Sequence, residues 1–128
     1  MVIVWNYPEL DILLKSQAGT VGRDLTRRAL KVKAAAQAQV GVKTGALKAS
    51  IRLEHGRAVY GQQIRVGSDL EYAYMHHEGT RPHVILPQPG GTLRFRGRGG
   101  AIVHTTRIDH PGTRPNKYLS DNLYLAIT

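Results

Sequence analysis

The same four residues occur twice in this chain, as Gly79-Thr80-Arg81-Pro82 and as Gly112-Thr113-Arg114-Pro115. The second copy begins 33 residues after the first. Glycine admits backbone angles closed to other residues, and proline blocks the continuation of regular structure. Each copy therefore reads as a corner. Each is also preceded by a histidine, His77 and His110. Between the corners lie two apolar runs, Val84-Ile85-Leu86 and Ala101-Ile102-Val103, parted by a glycine- and arginine-rich stretch. The expectation is a long excursion, a protruding β-hairpin or loop at about 83–108, held at both ends by matching turns. Two four-residue matches do not make a repeat protein, which needs several stacked units.

The chain around this excursion is that of one α+β domain of 128 residues. Such a length buries roughly two-thirds of the unfolded surface, enough for a core without staples. The chain has no cysteine, so disulfides and thiolate metal sites are excluded. Its apolar runs are too short for a membrane span or a signal-peptide core, which points to a soluble protein made in the cytoplasm. The net charge is +9, from 18 Lys and Arg against 9 Asp and Glu. That balance favours polyanionic partners, either nucleic acid or an acidic protein surface.

Taken in order, Val2-Ile3-Val4-Trp5 is an apolar run suited to a strand or a clip onto a neighbour. Asn6, Pro8 and Glu9 then start a short helix with Leu10, Leu13 and Leu14 on one face, ended by Gly19. Thr20 is placed to cap a second helix, from Val21 to about Gln39. Val21, Leu25, Ala29, Val32, Ala36 and Val40 form its apolar stripe. Its basic residues, Arg23, Arg27, Lys31 and Lys33, fall largely away from that stripe. They read first as a solvated face; Arg23, Arg27 and Lys31 are also the candidates for contact with DNA or an acidic partner. After the loop 41–45, Thr44 caps a short helix from Ala46 to Ser50. Two strands follow, Ile51 to Leu53 and Ala58 to Val66, around a turn at His55-Gly56-Arg57, with Gly61 as a bulge or bend. Tyr72, Met75 and His76 share one face of a further short helix. A last helix carries Leu119, Leu123 and Ala126 or Ile127 on its apolar side. The whole predicts an antiparallel β-sheet packed against a long helix in the N-terminal half and a short C-terminal helix.

Within the excursion, Thr92 to Arg96 alternates, with Leu93 and Phe95 on one face and Arg94 and Arg96 on the other. Gly97-Arg98-Gly99-Gly100 forms a flexible basic tip, and Ala101 to Ile108 returns as a strand. The segment from Arg94 to Gly99 is similar to arginine-glycine nucleic-acid segments, but with one aromatic residue it has no stacking platform. Docking on a protein neighbour is the reading it fits better.

Histidine is the only side chain clustered for chemistry, at His76, His77 and Glu78, with His83, His104 and His110 further on. Zinc hydrolases bring two histidines to one point at i and i+4 of a helix, whereas adjacent histidines diverge by about 100°. These are read as structural or surface histidines. No serine sits in a nucleophile elbow, and Lys43-Thr44 lacks the upstream glycine of a phosphate loop. No cofactor, metal or catalytic residue is expected.

The order of three segments resembles a known family. They are Val42-Lys43-Thr44-Gly45-Ala46-Leu47-Lys48-Ala49-Ser50-Ile51; then Tyr72-Ala73-Tyr74 with His77-Glu78-Gly79-Thr80; then His110-Pro111-Gly112 with Pro115-Asn116-Lys117-Tyr118-Leu119. This succession is similar to the neck, or head–tail connector, proteins of long-tailed bacteriophages, also known as minor tail components or tail completion proteins. It covers roughly residues 20 to 128. The tip from Arg96 to Gly100 departs from the family by its glycine and arginine content. The resemblance implies a non-enzymatic virion protein with an α+β fold, assembled in the host cytoplasm. Such a protein forms a homo-oligomeric ring, a hexamer or dodecamer, at the head–tail junction. There it meets neighbouring connector, stopper and tail proteins, and genomic DNA passes through its channel without any membrane. A tail terminator ring, a small basic nucleic-acid-binding protein and a metal enzyme at His76, His77 and Glu78 are the alternatives. Leu93, Phe95, Ile102 and Val103 are the expected subunit contacts, with Arg94, Arg96 and Arg98 facing acidic partners.

Overall fold

The computed structural model describes residues 1–59 and 61–128. Helix α1 spans Tyr7–Lys15, and the Asn6 side chain caps it by accepting from the Glu9 N–H at 3.4 Å. Helix α2 spans Thr20–Gln39. Its N-cap is Gly19 rather than Thr20, which is the first helical residue. The link between the two helices lies so close to α2 that a β-carbon on Gly22 would stand 2.5 Å from the carbonyls of Ser16 and Gln17. That crowding buries Gly22 and leaves Val21 partly exposed, so the inner stripe is shifted from the expected one at its first position.

Helix α3 spans Ala46–Ser50 after a left-handed Gly45 (φ 81°). Strand β1 (Arg52–Ala58) pairs antiparallel with β2 (Gly61–Gly67). The expected turn at His55-Gly56-Arg57 is instead strand interior. Gly56 pairs with Gln63, whose side chain lies over the bare glycine, and the pairing continues to Ala58 with Gly61. The expected second strand, Ala58 to Val66, crosses Tyr60, which lies outside the described residues. Helix α4 spans Glu71–Glu78. Its inward residue is Ala73, with His76 and His77 half-buried beside it, while Tyr72 and Met75 face solvent. The closing element is a 3₁₀ helix, Ser120–Ala126.

The core is small and joins distant parts of the chain. Ala36, Val40, Leu47, Ile51, Ala73 and Tyr118 form one buried cluster, with Val66, Leu70 and Leu119 packed against it. Tyr118 and Ile51 are its largest fully buried side chains. Burial raises the Tyr118 phenol above its ordinary pKa, because the phenolate is the form that loses solvation. The arrangement is α+β: a helical layer and a C-terminal helix against an antiparallel strand pair, with further antiparallel pairs beyond. No helix of the described residues is long and apolar enough to cross a membrane.

The excursion is not one continuous hairpin. Strand β3 (His83–Ile85) pairs with β6 (Ile108–His110), and β4 (Leu93–Arg96) pairs with β5 (Ile102–Thr105), as two separate ladders. On one side Pro87 to Gly91 turns, with the Gly91 N–H donating to the Gln88 carbonyl at 2.9 Å. On the other, Thr105 Oγ1 donates to the Arg107 carbonyl at 2.9 Å and breaks the expected strand from Ala101 to Ile108. Prolines cannot supply ladder donors, so the sheet stops where Pro87 and Pro89 stand.

The two Gly-Thr-Arg-Pro corners close on each other at the base of the arm. Thr80 and Thr113 exchange main-chain hydrogen bonds at 3.1 and 3.0 Å, and their hydroxyls meet at 3.0 Å. Gly79 (φ 74°) and Gly112 (φ 83°) both take the left half of backbone space. A β-carbon on Gly79 would lie 2.6 Å from the Thr113 carbonyl, and one on Gly112 would run into the Thr80 carbonyl.

Two substitution series test this account. Ile51→Ala should lower unfolding free energy by about 2–5 kcal/mol in denaturant titrations, and Ile51→Val by about 0.5–1.5 kcal/mol. Gly112→Ala combines positive φ with a main-chain collision and should cost more than about 2 kcal/mol. Gly99→Ala, in open space at the tip, should move stability by less than about 0.5 kcal/mol in either direction.

Candidate functional site

The arm presents two chemically different faces. The β4–β5 register sets Leu93 opposite Thr105, Arg94 opposite His104, Phe95 opposite Val103, and Arg96 opposite Ile102. Residues directly opposite share a face. One face therefore carries Leu93, Phe95, Val103 and Thr105. The other carries Arg94, Arg96, Ile102 and His104. Of the four expected subunit contacts, Leu93, Phe95 and Val103 share one face, and the register sets Ile102 among the arginines on the other. A tip of five residues joins the strands, closed by the Gly97 N–H donating to the Ala101 carbonyl at 2.9 Å.

Phe95, Ile102 and Val103 remain 41%, 50% and 38% exposed. A two-stranded ribbon has no second layer to cover either face, so its apolar side chains stay in contact with water. Among the described residues Arg94, Arg96 and Arg98 have no carboxylate within ion-pair reach. The arm thus combines uncovered apolar area with uncompensated positive charge, a combination suited to an acidic protein surface with apolar patches.

The basic residues of α2 divide differently. Arg23, Arg27 and Lys31 line a shallow hollow on its outer side with Thr26 and Leu30. Arg27 is paired with Asp24, and Arg28 donates to the other oxygen of the same carboxylate at 2.7 Å. Those two arginines hold the Asp24 carboxyl below the usual range, Arg28 being the stronger influence. Part of the helix's positive charge is therefore compensated within it, leaving Arg23 and Lys31 as the available cations of this set.

The histidines are parts of joints. His83 and His110 stack with ring centres 5.0 Å apart, and His110 Nδ1 accepts the Gly112 N–H at 3.0 Å. His76 and His77 both lie against the Tyr118 ring. His77 Nδ1 meets Glu78 Oε1 at 2.6 Å, and its Nε2 faces the Ser120 hydroxyl at 3.3 Å and the Ser120 N–H at 3.5 Å. This chain of contacts, carboxylate to imidazole to serine, was not foreseen; it needed α4 and the 3₁₀ helix to meet. Its connectivity is that of a nucleophile relay, but its geometry is that of a cap. The Ser120 N–H and hydroxyl share one nitrogen over long distances, and Ser120 and Glu78 both stand in solvent. The other Glu78 oxygen takes Lys117 at 3.4 Å. Among the described residues no group of three His, Cys, Asp or Glu side chains converges for a metal.

The three segments that carry the phage resemblance meet in one place. Leu47 and Ile51 come from the first, Ala73 from the second and Tyr118 from the third, and all belong to the buried cluster. Comparison of the chain with protein-family models, with curated proteins and with solved structures finds no match.

The Glu78 joint has a pH signature. The hydrogen bond from His77, then the charge of Lys117, hold the Glu78 carboxyl below its ordinary 4.5. A depressed carboxylate contributes stability above its unfolded pKa and loses it as pH falls through the folded value. The thermal midpoint should therefore drop further on acidification from about pH 5.5 to pH 3 in the parent protein than in Glu78→Gln. Parallel acid dependence in the two proteins would show that the joint contributes nothing.

Proposed function

We propose that this chain is a structural subunit that assembles with itself into a ring at the neck of a tailed bacteriophage virion, joining head connector to tail tube around the DNA channel. The observation that carries the reading is the arm: a paired ribbon, based on a hydrogen-bonded clasp, whose apolar residues Phe95, Ile102 and Val103 stay 41%, 50% and 38% exposed. Uncovered strands and apolar faces are the surfaces by which neighbouring subunits add to one another and close a ring. The motif order supports the virion setting, and the convergence of those motifs on one core supports treating them as a single pattern. Arg94, Arg96 and Arg98 serve contact with acidic neighbours, and Arg23 and Lys31 serve the weak, sequence-independent contact that a DNA channel requires. The arrangement at His77 serves folding, so the chain acts without catalysis.

Removing Arg96 to Gly100 should leave a folded monomer by circular dichroism and abolish assembly, as measured by native mass spectrometry of the protein alone and with its neck and tail partners. Normal rings, or infectious particles built from the shortened protein, would overturn the reading. The nucleic-acid-binding alternative makes the opposite prediction in a salt titration: tight, sequence-dependent binding rather than weak binding that vanishes by physiological ionic strength.

A further inference from the structure

The chain exposes a second pair of apolar features, away from the arm. The first is its start. Val2, Ile3, Val4 and Trp5 are 60–87% exposed and precede α1 without regular structure. From Val2 to Pro8 no side chain bears a charge. Three β-branched residues in succession favour an extended course, and the Asn6 cap stops α1 from continuing backwards into them.

The second is a groove of about 350 Å³ between α2, β2 and the closing 3₁₀ helix. Leu25, Ala29, Val32, Ile64, Leu119 and Leu123 are its apolar lining. Arg28 stands at its border, but its guanidinium is engaged by Asp24 and by the Ala126 carbonyl at 2.9 Å. His77 and Ser120, in contact with each other at 3.3 Å, complete the groove's polar lining, and no carboxylate of the described residues stands in it. Along it, β2 pairs only with β1, so its other edge has no ladder partner among the described residues.

We infer that this groove receives the Val2-Ile3-Val4-Trp5 run of a second copy of the chain, laid as an extended strand beside β2. The dimensions agree: four extended residues span about 13 Å, and the stretch of α2 from Leu25 to Val32 is about 10 Å long. Charge permits this occupant. Copies carrying +9 each repel one another, and an uncharged run laid on a mainly apolar groove adds nothing to that repulsion. The chain's own run does not fill its groove. The end of α1 that touches β2 is the far one, where Gln62 donates to the Leu14 and Ser16 carbonyls at 3.1 and 2.8 Å. The nine residues of α1 stand between that anchor and Trp5. The inference rests on the reading that copies of this chain assemble, but not on the arm.

Because the chain has no cysteine, disulfide trapping gives an unambiguous test. Val4→Cys protein is mixed with Leu123→Cys protein under mild oxidation, and cross-linked dimer is measured against a control pair, Val4→Cys with Val42→Cys, which is exposed outside the groove. The expected result is at least a tenfold excess of the Val4–Leu123 heterodimer over the control. Equal yields would overturn the inference. So would a disulfide that forms within the Val4→Cys/Leu123→Cys double variant but not between separate chains, since the groove would then hold its own run. Native mass spectrometry of the same samples separates the two readings. Rings without the cross-link leave the neck assignment standing and remove this one, and the cross-link without rings does the reverse.

Discussion

The distal half of this molecule depends on two glycines facing each other's main chain. Gly79 and Gly112 each stand where a β-carbon would collide with the opposite corner, and each adopts a positive φ. That pair of close approaches lets Thr80 and Thr113 exchange two main-chain hydrogen bonds and bring their hydroxyls together. Thirty-odd residues of arm then leave and return through a gap the width of one ladder. Closing a loop of that length costs entropy that grows only slowly with length. A short, well-satisfied clasp is therefore enough to close the arm at its base.

The clasp is tied directly to the core. The residues immediately before Gly79 are His76, His77 and Glu78, and those soon after Gly112 are Asn116 and Tyr118. His76 and His77 pack on the Tyr118 ring, and the Asn116 N–H donates to the His76 carbonyl at 3.1 Å. The two strands of chain that form the clasp are thus held together again one layer deeper, around a tyrosine that is 1% exposed. The histidines, which in sequence are the obvious candidates for chemistry, serve as polar ends of this joint. Their rings offer an apolar face to Tyr118 while their nitrogens satisfy donors at the edge of the core.

The outer surface has the opposite character. Among the described residues eight apolar side chains are buried, and many large ones lie outside that core. They include the first five residues, Ile12, Leu13 and Leu14 of α1, Tyr72, Tyr74 and Met75 of α4, Phe95, Ile102 and Val103 of the arm, and Leu123 beside the groove. Large exposed apolar patches mark interaction surfaces, and that of the arm is the one on which the proposed assembly rests. A net charge of +9 opposes random self-association, so these patches can act only where geometry aligns them.

Much of the fold was legible because it rests on local rules. The Asn6 cap, the stripe on α2, the short helix after Gly45 and the alternation of Thr92 to Arg96 follow from side-chain shape and period, which neighbours in sequence decide. The misreadings share a cause. The hairpin turn was placed at His55-Gly56-Arg57 because glycine signals a turn, yet Gly56 is strand interior beneath the Gln63 side chain, and only pairing with β2 shows it. Gly22 replaced Val21 on the inner stripe because the link after α1, at Ser16 and Gln17, lies against it. Which of Ile102 and Val103 lies beside Leu93 and Phe95 was not legible, because a period of two gives alternation within each strand but not the register between strands. The contact of Glu78, His77 and Ser120 joins residues up to 43 apart, and no spacing rule reaches that far. The sequence by itself determined the helices, the corners and the uncharged N-terminal run, since these depend on backbone angles and local periodicity. Only the tertiary structure decided that the twin corners clasp each other, which face each arm residue takes, and that an uncovered groove lies beside β2. Those outcomes depend on which distant surfaces come within a few ångströms, and that is a property of packing rather than of any one stretch of chain.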